Sequence, residues 1–297
     1  MKPHISITRG LWLIVCCLMA WPVFANNLKP LDKVPEQYIR MAENSDALQV
    51  AVVRFQPRSD SQDWYVDLVS AVHVADAAYF ADLNQRFSKY DAVLYEMVAP
   101  EGTKITPRQQ TGEHARTDKT NLLTSIQTTM TDVLGLTYQM DGVDYSPAHF
   151  IHADFSPDEF KQSMTNRGET ITGMILQMWR AGLARELTAG AGSQLSLLSV
   201  LMADDKQLAL KRMVAQELAD SESMMVAFEG PEGSTLVAAR NQKALKVLER
   251  TRVDKNPHSV AIFYGAAHMQ DFQKRLISNF DLVPVAIEWL DAWVLKE

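Results

Sequence analysis

The sequence predicts an α/β fold with a mixed, largely parallel sheet, built from two βαβ-like segments that bracket a helical insert. Three observations carry this expectation. Short β-branched runs alternate with a helical period in the first third of the chain, the alternation returns in the last third, and the middle is helical in character almost throughout.

In chain order, Leu48 to Phe55 (LQVAVVRF) and Trp64 to Val72 (WYVDLVSAV) are β-branched and apolar, with Pro57-Arg58-Ser59-Asp60 between them, and read as a hairpin. From Asp76 the period becomes helical, with Ala77, Phe80, Leu83, Asn84 and Phe87 on one face. Ala92 to Val98 (AVLYEMV) is again an apolar strand. Strand, helix and strand in succession predict that the second strand runs parallel to the first and beside it. Pro100 to Lys119 is polar and aperiodic, which predicts a loop over the carboxyl ends of these strands. The stretch from about Asn121 to Arg252 reads as helical. Within it, Ser156-Pro157-Asp158-Glu159 is a capping box with proline at the first helical position. Further helices are expected from about Thr170 to Leu187, Ser193 to Met202, Asp205 to Met225 and Thr235 to Arg252. Met174, Met178, Met202 and Met213 read as helix core rather than as a lipid- or metal-handling surface. Ser259 to Tyr264 (strand), Gln270 to Ser278 (helix) and Leu282 to Trp289 (strand) complete a second βαβ-like unit.

The first residues have the order of an export signal. Lys2 and Arg9 precede an uncharged apolar run from Leu11 to Ala20, and Val23 and Ala25 place small residues ahead of Asn26. The run is shorter than the roughly 20 residues that a spanning helix needs. Cleavage after Ala25 and a periplasmic location are therefore expected, with residues 26–297 forming one domain whose helical insert covers about 120–235. Both cysteines, Cys16 and Cys17, fall inside the signal. The mature chain is thus expected to hold no disulfide, thiolate nucleophile or cysteine ligand. Leu13-Ile14-Val15 lacks the small residues that precede a lipid-modified cysteine, so Cys16 is not read as an anchor. Removing Lys2 and Arg9 from the 29 basic residues leaves 27 against 36 acidic ones, a net charge near −9. That balance disfavours nucleic acid and anionic lipid as partners, and no membrane contact is expected after signal removal.

Chemistry is expected where strands end. His73 follows the strand ending at Val72, Glu96 lies near the end of the next strand, and His268 stands just past the strand ending at Tyr264. In open α/β sheets ligands bind at the carboxyl ends of strands, so the three are expected at one edge. A single histidine in such a place is commonly a cap or loop residue, but a glutamate inside an apolar strand requires a partner. His152 and Asp154, in His149-Phe150-Ile151-His152-Ala153-Asp154, face one side of an extended segment, which suits a fourth ligand or a general base as well as a loop satisfying its own polar groups. Tyr264 suits either core packing or donation to an oxyanion. No role is read for His114 or His258.

These residues resemble the motifs of the TraB/GumN family, which includes the TIKI-type proteins and is related to the erythromycin-esterase and ChaN-like proteins. The family carries two Gly-x-x-His motifs far apart, a glutamate on the strand after the first and an arginine on the helix before the second. The matching residues are His73 in Ser70-Ala71-Val72-His73, Glu96 in Leu94-Tyr95-Glu96-Met97, Arg240 in Ala239-Arg240-Asn241 and His268 in Gly265-Ala266-Ala267-His268. The similarity runs from about Val50 to the C-terminus and departs at Ser70, where the family has glycine and a Cβ limits backbone approach. The resemblance implies a metal-dependent hydrolase acting on peptide or protein substrates. Its ion would sit on His73, Glu96 and His268, an open three-ligand set that leaves a place for water. Zn, Mn, Co and Fe all suit nitrogen and oxygen ligands. Arg240 would pair with Glu96 or with a substrate carboxylate through its two-pronged fork. Glu96, Arg240, His152 and Asp154 are the candidate catalytic residues. Two other readings stay open: a metal-free esterase-like hydrolase with His73 as base and Glu96 as its partner, and a non-catalytic binder of haem, metal or a partner protein.

The signal reading predicts that protein from the periplasmic fraction has an intact mass beginning at Asn26. A mass that retains Cys16 and Cys17, or partition into membranes, refutes it.

Overall fold

The computed structural model describes residues 29–59, 63–100, 103, 133–170, 172–173, 199–228 and 233–296. The expected signal, nearly all of the polar stretch after Pro100, and most of the helices expected between 170 and 202 lie outside these residues.

The architecture is α/β, with a seven-stranded mixed sheet between two helical layers. The first strands are β1 (Ile39–Met41), β2 (Ala47–Pro57) and β3 (Tyr65–Ala71). β2 and β3 form the expected antiparallel hairpin, with Val52 opposite Val69 and Phe55 opposite Val66. A short strand β4 (Val74–Ala75) comes next and pairs with β6 (Thr137–Tyr138) in a separate two-stranded ribbon. The chain continues through helix α1 (Ala77–Phe87), strand β5 (Ala92–Tyr95), the single turn α2 (Gln139–Gly142), strand β7 (Phe150–His152) and helix α3 (Pro157–Arg167). The C-terminal part holds α4 (Lys206–Phe228), a π-helical turn (Thr235–Ala239), α5 (Arg240–Lys255), β8 (Ser259–Gly265), α6 (Ala266–Phe280) and β9 (Leu282–Val294).

Strands β3, β8, β5 and β7 run parallel and adjacent in that order. β9 covers β2 along its whole length, from Ala47 opposite Val294 to Pro57 opposite Leu282. β1 and β3 therefore share the other edge of β2, at Leu48–Val50 and Val52–Phe55 respectively.

One expected neighbour relation is corrected. β3 and β5 are parallel, yet they do not touch, because β8 from the far end of the chain lies between them. The reason is burial on both faces: all of Ser259 to Tyr264 is buried, as are all four residues of β5, which is what a central parallel strand requires. The last unit is corrected likewise. β9 runs in the same sense as β8 but stands beyond β3 and β2.

Alternate residues of each strand enter opposite layers. Val69, Val93, Tyr95, Ala261 and Phe263 pack with Phe80, Leu83 and Phe87 of α1 and with Ala215 and Ala219 of α4. Leu68, Leu94, Val260, Ile262 and Tyr264 pack with Ala244, Leu245 and Leu248 of α5 and with Met269, Phe272 and Leu276 of α6. Burying a Leu or Phe side chain fully contributes about 1.5–3 kcal/mol, so these two layers supply most of the cohesion. Met202 is 84% exposed and stands outside this core, against the expectation for it.

The capping box of α3 is present in full, and Gly168 closes the helix at φ 67°, a left-handed position that suits glycine. The expected helix from Thr235 is split: its first turn is π, the rest α. A π-turn adds one residue to the turn and so rotates the succeeding helix by about 100° relative to a continuous α-helix. Arg240 is the first residue after it.

Asp91 ties β5 to β8 at their amino ends. Its Oδ2 accepts from His258 N at 2.9 Å, Ser259 N at 2.9 Å and Ser259 Oγ at 3.0 Å. Burial works to raise its pKa, but the bonds from Ser259 and His258 outweigh it and hold the carboxyl below its ordinary value. A depressed carboxyl contributes stability above its unfolded pKa of about 3.9 and loses it as pH falls through the folded value. Asp91→Asn should lower stability at neutral pH and flatten the decline of urea-unfolding free energy in acid. Superimposable pH profiles for wild type and variant refute this.

Candidate active site at the carboxyl edge of the sheet

Glu96 is the first residue after β5, and its amide donates to Phe263 O at 3.1 Å, which continues the ladder one step past the strand. Asp154 lies two residues beyond β7, and His268 is in the first turn of α6 directly after β8. Three adjacent parallel strands thus deliver three titratable side chains to one edge.

Arg240 joins two of them. Its Nε and Nη2 donate to Asp154 at 2.9 and 2.5 Å, and Nη2 also donates to Glu96 Oε1 at 2.7 Å. Arg240 is 9% exposed and Asp154 2%. Burial opposes the guanidinium charge, but the bond to Asp154 and the charges of Glu96 and Asp154 outweigh it and raise the pKa further. The second oxygen of Glu96 accepts from Gly265 N at 2.8 Å, at the N-terminus of α6, where the helix end favours negative charge. A Cβ at Gly265 would come within 3.4 Å of this carboxylate oxygen. Burial pushes the Glu96 carboxyl up, and His268, Arg240 and the Gly265 amide together hold it well below the usual range.

His268 is oriented from behind. Asn241, fully buried, donates through Nδ2 to His268 O and to Asp271 Oδ2, both at 2.9 Å. Those bonds fix the amide, so Oδ1 accepts from His268 Nδ1–H at 2.6 Å. The other ring nitrogen, Nε2, then faces Glu96 Oε1 at 3.5 Å. It offers a lone pair when unprotonated and donates to Glu96 when protonated.

The remaining candidates are placed differently. His73 is exposed at the same edge, in the segment between β3, whose Ala71 is level with Gly265, and β4. Its carbonyl accepts from Gln139 N at 2.8 Å. Among the described residues, no group of three His, Cys, Asp or Glu side chains converges closely enough to hold an ion. His152 does not share Asp154's surroundings, because its Nε2 is bonded to Met97 O at 2.5 Å. Asp154 itself is committed to Arg240. Tyr264 gives its proton to Ala153 O at 2.7 Å, so its hydroxyl serves packing. His258 lies at the opposite end of the sheet, bonded to Asp63 O.

Two participants carry no strand-end signal. Asn241 continues the apolar face Ala238, Ala244, Leu245, Leu248 of its helix, and an amide on that face is the one signal that marks it. Tyr145 is 5% exposed, accepts from Gln139 Nε2 at 2.9 Å, and has its pKa raised by burial with a contribution from the nearby Glu96 charge. Nothing in Gly142-Val143-Asp144-Tyr145 signals this. Ser70 Oγ and Gln139 Oε1 are buried without a hydrogen-bond partner among the described residues.

Comparison of the chain with protein-family models, with curated proteins and with solved structures finds no match in any of the three.

Arg240→Ala leaves the buried Asp154 without its counter-charge and takes one of three partners from Glu96, and should cost about 3–5 kcal/mol of stability. Arg240→Lys should lie between this variant and wild type, because an ammonium cannot span both carboxylates with a planar fork. Urea unfolding of the two variants measures this. A loss within about 0.5 kcal/mol for Arg240→Ala, the range of a surface substitution, refutes it.

Proposed function

We propose that the chain is an exported metal-dependent hydrolase acting on peptide bonds, with the site at the Glu96–His268 edge. The observation that carries this reading is the pairing of His268 Nε2 with Glu96 Oε1 at 3.5 Å while Asn241 holds Nδ1 from behind. Two ligand atoms each about 2.1 Å from a common ion in tetrahedral geometry stand about 3.4 Å apart. A histidine whose second nitrogen is held by a hydrogen bond is the usual arrangement around a bound ion. The donor set is nitrogen and oxygen, which suits Zn, Mn, Co or Fe. Glu96 and Asp154 carry two negative charges against one on Arg240, so the cluster receives a cation without net repulsion. His73, exposed on the same edge, is the third ligand in this proposal. The four motifs resembling the TraB/GumN family point the same way.

When bound, the ion supplies a nucleophilic water near neutral pH and polarises the scissile carbonyl. The chain's own residues do the positioning. Asp154 holds Arg240, Arg240 holds Glu96, and Asn241 holds His268, so the two ligating atoms are fixed before substrate arrives, which removes the cost of ordering them.

Purified protein should hold one first-row divalent ion per chain. His268→Ala and His73→Ala should each lose that stoichiometry, and Asn241→Ala should weaken affinity about 10–100-fold, the effect of removing a ligand's hydrogen-bond partner. Elemental analysis and metal titration read this out. Full occupancy in both histidine variants overturns the shared site on His73, Glu96 and His268, peptide hydrolysis without metal leaves Glu96 and His268 as an acid–base pair, and a Soret band indicates haem binding instead.

A further inference from the structure

Between α3 and α5 runs a groove with a volume of about 500 Å³. Its lining holds Arg167 from α3, Lys243, Lys246 and Arg250 from α5, and a single carboxylate, Glu159. Three net positive charges on a chain with a formal charge of −7 are a local inversion of sign.

The inversion costs something. Lys243, Lys246 and Arg250 stand at i, i+3 and i+7, on one face of α5, where like charges repel. Lys243 is answered by Glu159 at 2.6 Å, and Arg167 donates to Gly233 O at 2.9 Å. Lys246 and Arg250 make no ion pair among the described residues. The acidic residues of the same helix, Glu249 and Asp254, are outside the lining. Amides complete it, with Gln162, Asn166 and Gln242 offering paired donors and acceptors of the kind that engage a peptide backbone.

Two residues of the lining are chain neighbours of the residues that hold Glu96. Phe155, in its lining, adjoins Asp154, and Ala239, also in its lining, precedes Arg240. Lys243 to Arg250 is seven residues, a rise of about 10 Å, which matches about three residues of an extended peptide.

We propose that this groove seats an acidic peptide segment; that the segment belongs to a substrate rests on the hydrolase reading. A flat anionic bilayer does not enter a concave groove, and a long polyanion such as nucleic acid extends beyond it onto a chain of formal net charge −7.

The probe is a fluorescein-labelled penta-glutamate peptide, with a penta-lysine peptide as control, followed by fluorescence anisotropy on the full mature protein. The glutamate peptide should bind, the lysine peptide should not, and affinity should fall with added salt, as exposed ion pairs do. Lys246→Glu combined with Arg250→Glu should weaken binding by about tenfold or more, since two attractions become repulsions. Lys246→Gln with Arg250→Gln should give a smaller loss in the same direction. Metal occupancy of both variants should equal wild type, and His268→Ala should keep the peptide affinity while losing the metal. Equal affinity for the two peptides, no effect of the double reversal, or binding to phosphatidylglycerol vesicles in place of the peptide overturns the proposal. A protein that binds the glutamate peptide and holds no metal overturns the metal-site reading alone.

Discussion

A guanidinium that is 9% exposed has to have its charge answered within reach, and Arg240 is answered by two carboxylates from two different strands. This interaction sets much of the rest. Asp154 and Glu96 lie just beyond β7 and β5, so the arginine fastens both strand ends to the start of α5. Replacing such an ion pair by matched apolar groups is often neutral for stability, so its presence argues for positioning rather than for strength. What it positions is the Glu96 carboxylate, whose other oxygen is taken by the amide of Gly265, the last residue of β8 and the N-cap of α6.

The fixed carboxylate faces a fixed imidazole. Asn241 is the next residue after Arg240, and the π-turn before them sets the rotation of both. One residue of α5 therefore holds Glu96 and its neighbour holds His268. The same helix carries Lys243, Lys246 and Arg250 outward into the groove. A single helix thus connects the edge of the sheet with the basic surface beside it, which is why a rotation of α5 would disturb both at once.

The sheet explains why residues so distant in the chain meet. β8 is buried on both faces and inserts between β3 and β5, bringing Gly265 and His268 beside Glu96. The pair of half-buried Arg54 and buried Asp67, with both nitrogen–oxygen contacts at 2.8 Å and Tyr90 donating to the same carboxylate at 2.5 Å, occupies the strands away from this edge. Charge in the interior of this sheet is in both places matched by a bidentate arginine.

The sequence by itself determined the class of fold, the β2–β3 hairpin, the capped start of α3 and the strand-end position of Glu96 and His268. Each of these is written locally, in hydrophobic period, turn residues or a capping box, and local signals survive without knowledge of the partner. It also singled out Arg240 and Asp154, though through separate motifs and not as a pair. Only the tertiary structure decided that β8 separates β3 from β5, that Asp154 holds Arg240, that His152 turns onto Met97 O, and that Asn241 stands behind His268. Strand order and side-chain pairing depend on which surfaces bury each other across residues tens to more than a hundred positions apart, and no periodicity along one chain encodes that choice.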